Sequence, residues 1–279
     1  MTDALQREII QALQVPPHFD AAEEAERRIR FLKDYLLASR QESYVLGISG
    51  GVDSSTAGRL AQLAVERARE ESGNARLRFI AMRLPYGVQR DEEDAQRALQ
   101  FIQPDETHTV NVKPASDAML ASVREARVAF DDELHEDFTL GNIKARQRMI
   151  AQYAVAGARR GLVIGTDHAA EALMGFYTKF GDGACDLTPL HGLNKRRVRA
   201  VAEWLGAPDA LVHKMPTADL ESLSPGKADE DAFGITYAEI DDFLEGKPVS
   251  PATLETILDT YRRSAHKRDL PYTPFHYNQ

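Results

Sequence analysis

The amino-acid sequence predicts an α/β protein with a doubly wound parallel sheet flanked by helices and a small helical region at the C-terminal end. Two observations support this prediction. Short apolar runs alternate with amphipathic stretches over the first two thirds of the chain, which is the element order of a parallel sheet. The apolar run 44–48 also ends in a glycine turn that leads directly into a helical pattern, so strand, tight turn and helix follow one another.

The individual elements follow from the spacing of apolar residues. Asp20, with Glu23 three residues later, predicts the start of a helix over 20–40. Two short helices are predicted between 237 and 269, around Gly246. The remaining predicted strands are 44–48, 77–84, 107–112 and 161–165, and the remaining predicted helices are 53–71, 91–101, 115–127, 142–160 and 194–205.

We expect a single domain over residues 1–279, because one pattern of elements continues along the chain without a linker or an internal repeat. It divides into N-terminal helices (1–40), the α/β core (41–205) and a loop with C-terminal helices (206–279). Residues 215–234 mix Pro, Ser, Gly and acidic residues. Long irregular segments of this kind are often lids over a binding site, and we expect a lid here.

Composition excludes several functional classes. With 34 Lys and Arg against 43 Asp and Glu, the formal net charge of −9 disfavours a general phosphate-backbone binder, so no nucleic-acid partner is expected. The single cysteine, Cys185, allows no internal disulfide and fits the cytoplasm. No apolar run reaches the roughly 18–20 residues of a membrane span, and we expect no membrane anchor.

The segment Ser49-Gly50-Gly51-Val52-Asp53-Ser54 carries the clearest chemical signal. Its glycines allow close backbone approach, and its amides, its hydroxyls and the following helix N-terminus can surround a phosphate. The pattern lacks the lysine of a P-loop, so kinase-like transfer is not indicated. The alternative is a simple glycine turn in which Asp53 caps the helix. Because parallel strands bind ligands at their carboxyl ends, the segments after Ile48, Leu84 and Ile164 should meet in one crevice.

The same segment resembles the SGGxDS motif of the N-type ATP pyrophosphatases, whose fold is that of the adenine nucleotide alpha hydrolases. The resemblance extends to ammonia-dependent NAD synthetases over about residues 20 to 270. It rests on the segments GTDHAAE (165–171), FYTKFGDG (176–183), DLTPL (186–190), LNK (193–195), KMPTADL (214–220) and HKR (266–268).

The resemblance implies roles for particular residues. Glu171 would face Asp53 and complete a carboxylate pair for Mg²⁺, a hard ion that prefers oxygen ligands; a solvated helix acid is the alternative. The residues implied in catalysis are Asp53, Lys195 and Thr217. Those implied in binding ATP are Gly47, Ile48, Ser49, Gly50, Gly51, Val52, Asp53, Ser54, Arg83, Gln89, Thr166, Lys195 and Thr217. Those implied in binding deamido-NAD are Arg146, Lys179, Asp186, His266 and Lys267.

The activity implied is the Mg²⁺-ATP-dependent amidation of deamido-NAD with ammonia, giving NAD, AMP and pyrophosphate through an adenylate. The family is homodimeric, and helices 20–40 and 142–160 are candidates for the interface. Two alternatives stay open: another adenylating enzyme of this motif, such as a different amide synthetase or a tRNA thiolase, and a non-catalytic adenine-nucleotide sensor.

Other residues have plainer interpretations. Asp167 and His168 are interpreted as structural, because neighbouring Asp and His residues without known geometry indicate little chemistry. Cys185 is interpreted as an unreactive thiol. Arg196, Arg197 and Arg199 are interpreted as a solvated helix face, and Tyr35, Phe138 and Tyr153 as core or interface aromatics.

Overall fold

The computed structural model describes residues 2–87, 92–217, 220, 222–223, 226 and 228–274. Within these residues a four-stranded, fully parallel sheet is formed by β1 (Ser43–Gly47), β2 (Arg78–Arg83), β3 (Glu106–Thr109) and β4 (Gly161–Val163). The strand order is β3-β2-β1-β4. The helices are α1 (Thr2–Ala12), α2 (Ala21–Ser39), α3 (Val52–Ser72), α4 (Glu92–Ile102), α5 (Lys113–Glu125), α6 (Glu133–Ala158), α7 (Ala169–Met174), α8 (Lys195–Trp204), α9 (Asp209–Val212), α10 (Asp229–Phe233), α11 (Tyr237–Leu244), α12 (Pro251–Arg263) and α13 (Ala265–Arg268).

The sheet reverses its direction of winding beside β1. The chain proceeds outward from β1 to β2 and β3, and then returns through α5 and α6 to place β4 on the other side of β1. In register, Val45 of β1 lies between Ile80 of β2 and Val163 of β4. The crevice outside the carboxyl ends of β1 and β4 is therefore the topological switch point, where sheets of this class bind ligands.

Alternating side chains of the strands fill two cores, one on each face of the sheet. Tyr44 and Leu46 of β1 belong to the core formed with α2, α3 and α8. Val45 belongs to the core on the opposite face, which α6 covers. A third apolar cluster joins α1, α7, α11 and α12. The predicted fold class, a parallel sheet with helices on both faces, is confirmed.

The predicted boundaries differ most from the structure at the start of α6 and the end of β3, and the region 237–269 holds three helices, α11, α12 and α13, instead of the two predicted. Helix α6 begins at Glu133, nine residues before the predicted start at Asn142, because the Asp132 side chain accepts a hydrogen bond from the His135 amide and caps the helix there. The first turns of α6 are mostly polar and hide this start from an apolar pattern. The edge strand β3 ends at Thr109 instead of 112, although Val112 N still donates to Pro85 O over 2.9 Å.

The start of α2 is confirmed, since the Asp20 side chain accepts a hydrogen bond from the Glu23 amide over 2.9 Å. The segment expected to form a lid is partly described: Thr217 and Ala228 form an antiparallel bridge that leads into α10, whereas residues 218–219, 221, 224–225 and 227 lie outside the described residues. Among the residues that are described, no helix has both the length and the apolar character needed to cross a membrane.

Candidate active site

The glycine turn after β1 is shaped by close packing against α4. Gly50 has φ +83°, and a Cβ atom there would lie 2.9 Å from the backbone nitrogen of Ala95. Only glycine satisfies both conditions without strain. Ser54 Oγ lies 3.1 Å from Ser49 Oγ and donates to Gly51 O, which closes the turn.

Helix α3 presents its N-terminus to the crevice. Gly51 is the N-cap residue and provides no side-chain acceptor, so Asp53 does not cap the helix and that alternative interpretation is wrong. The amides at a helix N-terminus and the positive end of the helix dipole favour an anion at this point. A cavity of about 620 Å³ opens here, lined by the ends of β1 and β4 and by the segments around α6, α7 and 214–217. A volume of this size suits a nucleotide-sized ligand.

Asp53 and Lys195 form the central ion pair of the cavity. Lys195 Nζ lies 2.7 Å from Asp53 Oδ2, and the lysine side chain is only 1% exposed. Lys195 begins α8, whose N-terminus is fixed by Asp241: its carboxylate accepts hydrogen bonds from the amides of Lys195 (3.0 Å) and Arg196 (2.7 Å). Burial alone raises the pKa of Asp53 and lowers that of Lys195, but their mutual attraction outweighs burial. Both groups are therefore charged.

Glu171 and His168 complete the cluster from α7. One ligand atom from each of Asp53, His168 and Glu171 lies within 4.8 Å of the others. Burial and the nearby charge of Asp53 raise the pKa of Glu171 well above its usual value. Burial lowers the pKa of His168 to about 3, so its ring is neutral.

The donor set fits a hard divalent cation. Two carboxylates face the cavity, and Asp53 Oδ1 is buried and has no hydrogen-bond partner among the described residues. Carboxylate oxygens, together with water and phosphate oxygens, are the ligands that Mg²⁺ takes up. A cation between Asp53 and Glu171 would also relieve the repulsion that raises the pKa of Glu171. The structure thus brings together the two residues predicted to bind metal.

Most residues predicted to bind ATP line this cavity. They are Gly47, Ile48, Ser49, Gly51, Val52, Asp53, Ser54, Thr166, Lys195 and Thr217. Gly50 lies behind them, against α4. Arg83 does not line the cavity and instead pairs with Glu92. Gln89 falls outside the described residues.

Four of the five residues predicted to bind deamido-NAD, namely Arg146, Lys179, His266 and Lys267, lie next to one another. Lys267 is the one of the five that lines the cavity. Arg146 Nη2 donates to the carbonyl of Lys179 over 3.3 Å, and Lys179 Nζ donates to the carbonyl of His266. Lys267 Nζ donates to the carbonyls of Gly175 and Tyr177, each over 2.8 Å. Asp186 is separate from them: its carboxylate accepts a hydrogen bond from the Val163 amide over 2.7 Å and supports β4.

Comparison with known proteins identifies the family. A family model described as NAD synthase matches residues 24–271. The chain belongs to the NAD synthase family. It is 65% identical over 271 residues to the NH(3)-dependent NAD(+) synthetase of Streptomyces coelicolor, covering 97% of this chain and 98% of that protein.

Solved structures of related proteins share the architecture. The crystal structure of NAD+ synthetase from Burkholderia pseudomallei superimposes with a TM-score of 0.84 at 61% identity, covering 97% of this chain and 98% of that one. The structure of NMN synthetase from Francisella tularensis gives a TM-score of 0.78 at 37% identity, covering 92% and 99%. The resemblance stated from the sequence motifs is therefore confirmed at the level of the family.

The sequence analysis did not identify a row of polar side chains on one face of α6 that belongs to the site. Lys144, Arg148 and Gln152 all line the cavity. Gln152 Oε1 accepts a hydrogen bond from the Gly47 amide over 2.7 Å and so joins α6 to the end of β1. The signal was present, because polar residues every four positions on a helix share one face.

Three plainer interpretations need correction or refinement. Arg197 is not on a solvated face: it is buried and donates to the carbonyl of Pro16 over 2.7 Å. His168, interpreted as structural, lies beside both carboxylates of the site. Phe138 lines the cavity and is 58% exposed, so it is not a core residue. Cys185 is a free thiol whose pKa is raised by burial to about 12, which agrees with an unreactive role.

Proposed function

We propose that this chain catalyses the ATP-dependent amidation of deamido-NAD with ammonia, forming NAD, AMP and pyrophosphate. The observation that supports this most is the position of the Asp53–Lys195–Glu171 cluster beside the glycine turn, at the switch point of the sheet. The high identity to relatives named NH(3)-dependent NAD(+) synthetases supports the same reaction.

In this proposal the phosphates of ATP lie on the glycine turn, against the amides that begin α3. Lys195 is 1% exposed and fixed by Asp53, so its charge is already oriented toward the phosphates before they bind. Thr217, which also lines the cavity, supplies a hydroxyl. Asp53 and Glu171 would hold Mg²⁺, which supplies charge neutralisation to the phosphates.

The reaction proceeds by two displacements. A carboxylate oxygen of deamido-NAD attacks the α-phosphorus of ATP, and the bond from this phosphorus to the oxygen that bridges it to the β-phosphate breaks. Pyrophosphate leaves, and an acyl adenylate remains. Ammonia then attacks the activated carbonyl carbon, the bond between this carbon and the bridging oxygen breaks, AMP leaves, and the surplus proton is released. Because both substrates are bound in one crevice, the carboxylate and the α-phosphorus are already close and oriented when they react.

The segment 215–234 is proposed to close over the adenylate and keep water away from it. Helix α6 contacts three described residues of this segment, Leu220, Ser222 and Leu223. Lys144 Nζ donates to Leu220 O and lies within hydrogen-bond distance of Ser222 Oγ, both at 2.8 Å. The Asp137 carboxylate accepts from the amides of Ser222 (3.0 Å) and Leu223 (2.8 Å).

We propose further that the protein is a homodimer. Helices α2 and α6 expose large apolar side chains that a monomer would leave in water; they are Phe31, Tyr35, Leu134, Phe138 and Ile150. Because Phe138 also lines the cavity, an interface on α6 would lie next to the site. The cytoplasm is the proposed location, since a lone free cysteine suits a reducing compartment.

A second candidate function has its own support. The similarity to an NMN synthetase, at 37% identity over 92% of this chain, makes the carboxylate form of NMN an alternative acceptor. The two acceptors differ by an adenylate group, so a direct competition between them under otherwise identical conditions distinguishes the two functions. We expect kcat/KM to be higher for deamido-NAD.

The test of the proposed function is one incubation with ATP, Mg²⁺, deamido-NAD and ammonium, followed by mass spectrometry. We expect NAD, AMP and pyrophosphate in equal amounts, and no turnover by Asp53→Ala. Asp259→Ala is the matched control, because Asp259 lies on α12 with a side chain that is 61% exposed and pairs with Arg262 over 3.8 Å. AMP and pyrophosphate without NAD would point to another nitrogen donor or acceptor.

A further inference from the structure

The imidazole of His168 occupies an unusual position between the two carboxylates of the site. The side chain is fully buried. Its Nδ1 accepts a hydrogen bond from the Glu171 amide over 3.4 Å, which caps α7. Its Nε2 lies 3.5 Å from Asp53 Oδ1 and 3.6 Å from Glu171 Oε1.

The bond at Nδ1 determines which nitrogen carries the proton. A nitrogen that accepts a hydrogen bond uses its lone pair, so the hydrogen of a neutral ring must be on the other nitrogen. Here Nδ1 is the acceptor, and Nε2 therefore carries the hydrogen. A metal-binding histidine has the opposite arrangement, with a bare nitrogen toward the metal and the other nitrogen donating outward.

The surroundings of Nε2 leave its hydrogen directed at the carboxylates. Among the described residues, His168 Nε2 and Asp53 Oδ1 are both buried and both lack a hydrogen-bond partner. The opposite oxygen of Asp53 already accepts from Lys195 Nζ. The ring of Tyr237 packs against the imidazole in a T-shaped arrangement, with 6.4 Å between the ring centroids.

We propose that His168 is a positioning residue that donates its Nε2–H to the carboxylates of Asp53 and Glu171 as they close on a divalent cation, and that it is not itself a metal ligand. This inference rests on the cation site of the proposed function. With His168 and Lys195 each holding one oxygen of Asp53, the carboxylate cannot rotate, yet each oxygen keeps a lone pair for the cation.

A consequence for metal selectivity follows. If the protein supplies only oxygen ligands, the site suits Mg²⁺ and Mn²⁺. It then lacks the imidazole ligand that would increase its affinity for Co²⁺ or Zn²⁺. A histidine ligand would instead strengthen the binding of those later transition metals over Mg²⁺. The two arrangements can therefore be distinguished by comparing several metals.

Two substitutions separate the capping role of His168 from the donor role. His168→Asn keeps a good helix-capping acceptor near Nδ1 but removes the N–H near Nε2. His168→Gln places an amide N–H near the position of Nε2. Thermal unfolding identifies variants that remain folded, and binding of Mn²⁺ alone, measured by electron paramagnetic resonance with Mg²⁺ and Co²⁺ as competitors, reports on the site without turnover.

For the Asn variant we expect Mn²⁺ and Mg²⁺ affinity to fall by the same factor, about 10- to 100-fold, the usual effect of losing an outer hydrogen-bond partner. The Gln variant should bind close to the wild-type value. Unchanged binding by the Asn variant, equal losses in the two variants, or a loss much larger for Co²⁺ than for Mg²⁺ would overturn the inference. Wild-type protein that binds no Mn²⁺ would remove the cation site and this inference with it.

Nitrogen NMR of wild-type protein labelled at histidine gives a second test that requires no variant. We expect His168 to show a protonated Nε2 and a bare Nδ1, both without metal and with Mg²⁺ added. A bare Nε2 would contradict the inference. If the tautomer is as expected but deamido-NAD is not amidated, the proposed function fails while the assignment of His168 stands.

Discussion

At the scale of single residues, the site places several buried acidic groups close together. Asp53 is held charged by Lys195, whereas Glu171 and Asp167 have raised pKa values because burial disfavours their charged forms. Neighbouring acids with opposing pKa shifts are typical of sites that bind cations or move protons. Burying these acids lowers the stability of the folded protein, and a bound cation would offset this loss.

Asp167 provides a test of this cost. Burial, with Asp182 and Asp53 nearby, raises its pKa to about 8. Between its unfolded pKa and about pH 8, the folded state holds more protons than the unfolded state, so stability falls as pH rises through this window. We predict that Asp167→Asn flattens this decline, measured by urea unfolding from about pH 5 to about pH 8. Asp259→Asn, at an exposed position, should leave the slope as in wild type; an equally steep decline in Asp167→Asn would refute the assignment.

Residue-level prediction from sequence succeeded where a motif fixed the local backbone. Asp53 and Glu171 were expected to face each other, and they do. Prediction from sequence failed where the interaction partner is remote in sequence. Arg197 is buried because it binds the carbonyl of Pro16, which lies far away along the chain. The orientation of His168 depends on where α7 begins, which the sequence pattern does not reveal.

At the scale of elements, the glycine turn is the part of the fold most sensitive to change. Gly50 and Gly73 both have positive φ, at +83° and +68°, but a Cβ atom at Gly73 meets nothing within 4 Å. Both Ala substitutions carry the backbone cost of about 1–2 kcal/mol for a left-handed residue. We predict that Gly50→Ala costs more stability than Gly73→Ala and also weakens ATP binding, measured by urea unfolding and calorimetry. If Gly50→Ala and Gly73→Ala lowered stability and ATP affinity equally, the close contact of Gly50 with α4 would be unimportant.

The segment 215–234 should respond to ligands as a lid. It is tied to α6 by Lys144 and Asp137 near Leu220 and Ser222. We predict that ATP and deamido-NAD together slow cleavage within this segment in limited proteolysis, because closure requires both substrates. Cleavage at equal rates with and without the substrates would argue against a lid.

The elements themselves were largely predictable, because apolar periodicity decides strand and helix in a core that is buried on both faces of the sheet. The alternation of strands with helices also predicted their parallel direction, whereas the strand order β3-β2-β1-β4 was not predicted. The early start of α6 could not be read in this way: residues 133–141 are mostly polar, and their helical state depends on the Asp132 cap and packing along the cavity.

At the scale of the whole molecule, the exposed apolar side chains of α2 and α6 predict self-association. We expect light scattering to give twice the chain mass of 31.0 kDa at micromolar concentration. A double substitution of Phe31→Glu and Ile150→Glu should shift the mass toward a monomer, since both side chains are exposed and would place charge in the interface. Trp204→Glu, exposed on α8, is the control. A wild-type monomer at this concentration would contradict the prediction.

The central claim concerns the whole reaction: a carboxylate oxygen of the acceptor attacks the α-phosphorus of ATP beside Asp53 and Lys195. The most direct measurement uses deamido-NAD labelled with ¹⁸O in its nicotinate carboxylate, with mass spectrometry of the products. The proposed mechanism predicts that one labelled oxygen appears in AMP for each NAD formed, and none in pyrophosphate. NAD formed with unlabelled AMP, or label in pyrophosphate, would show that activation follows another route.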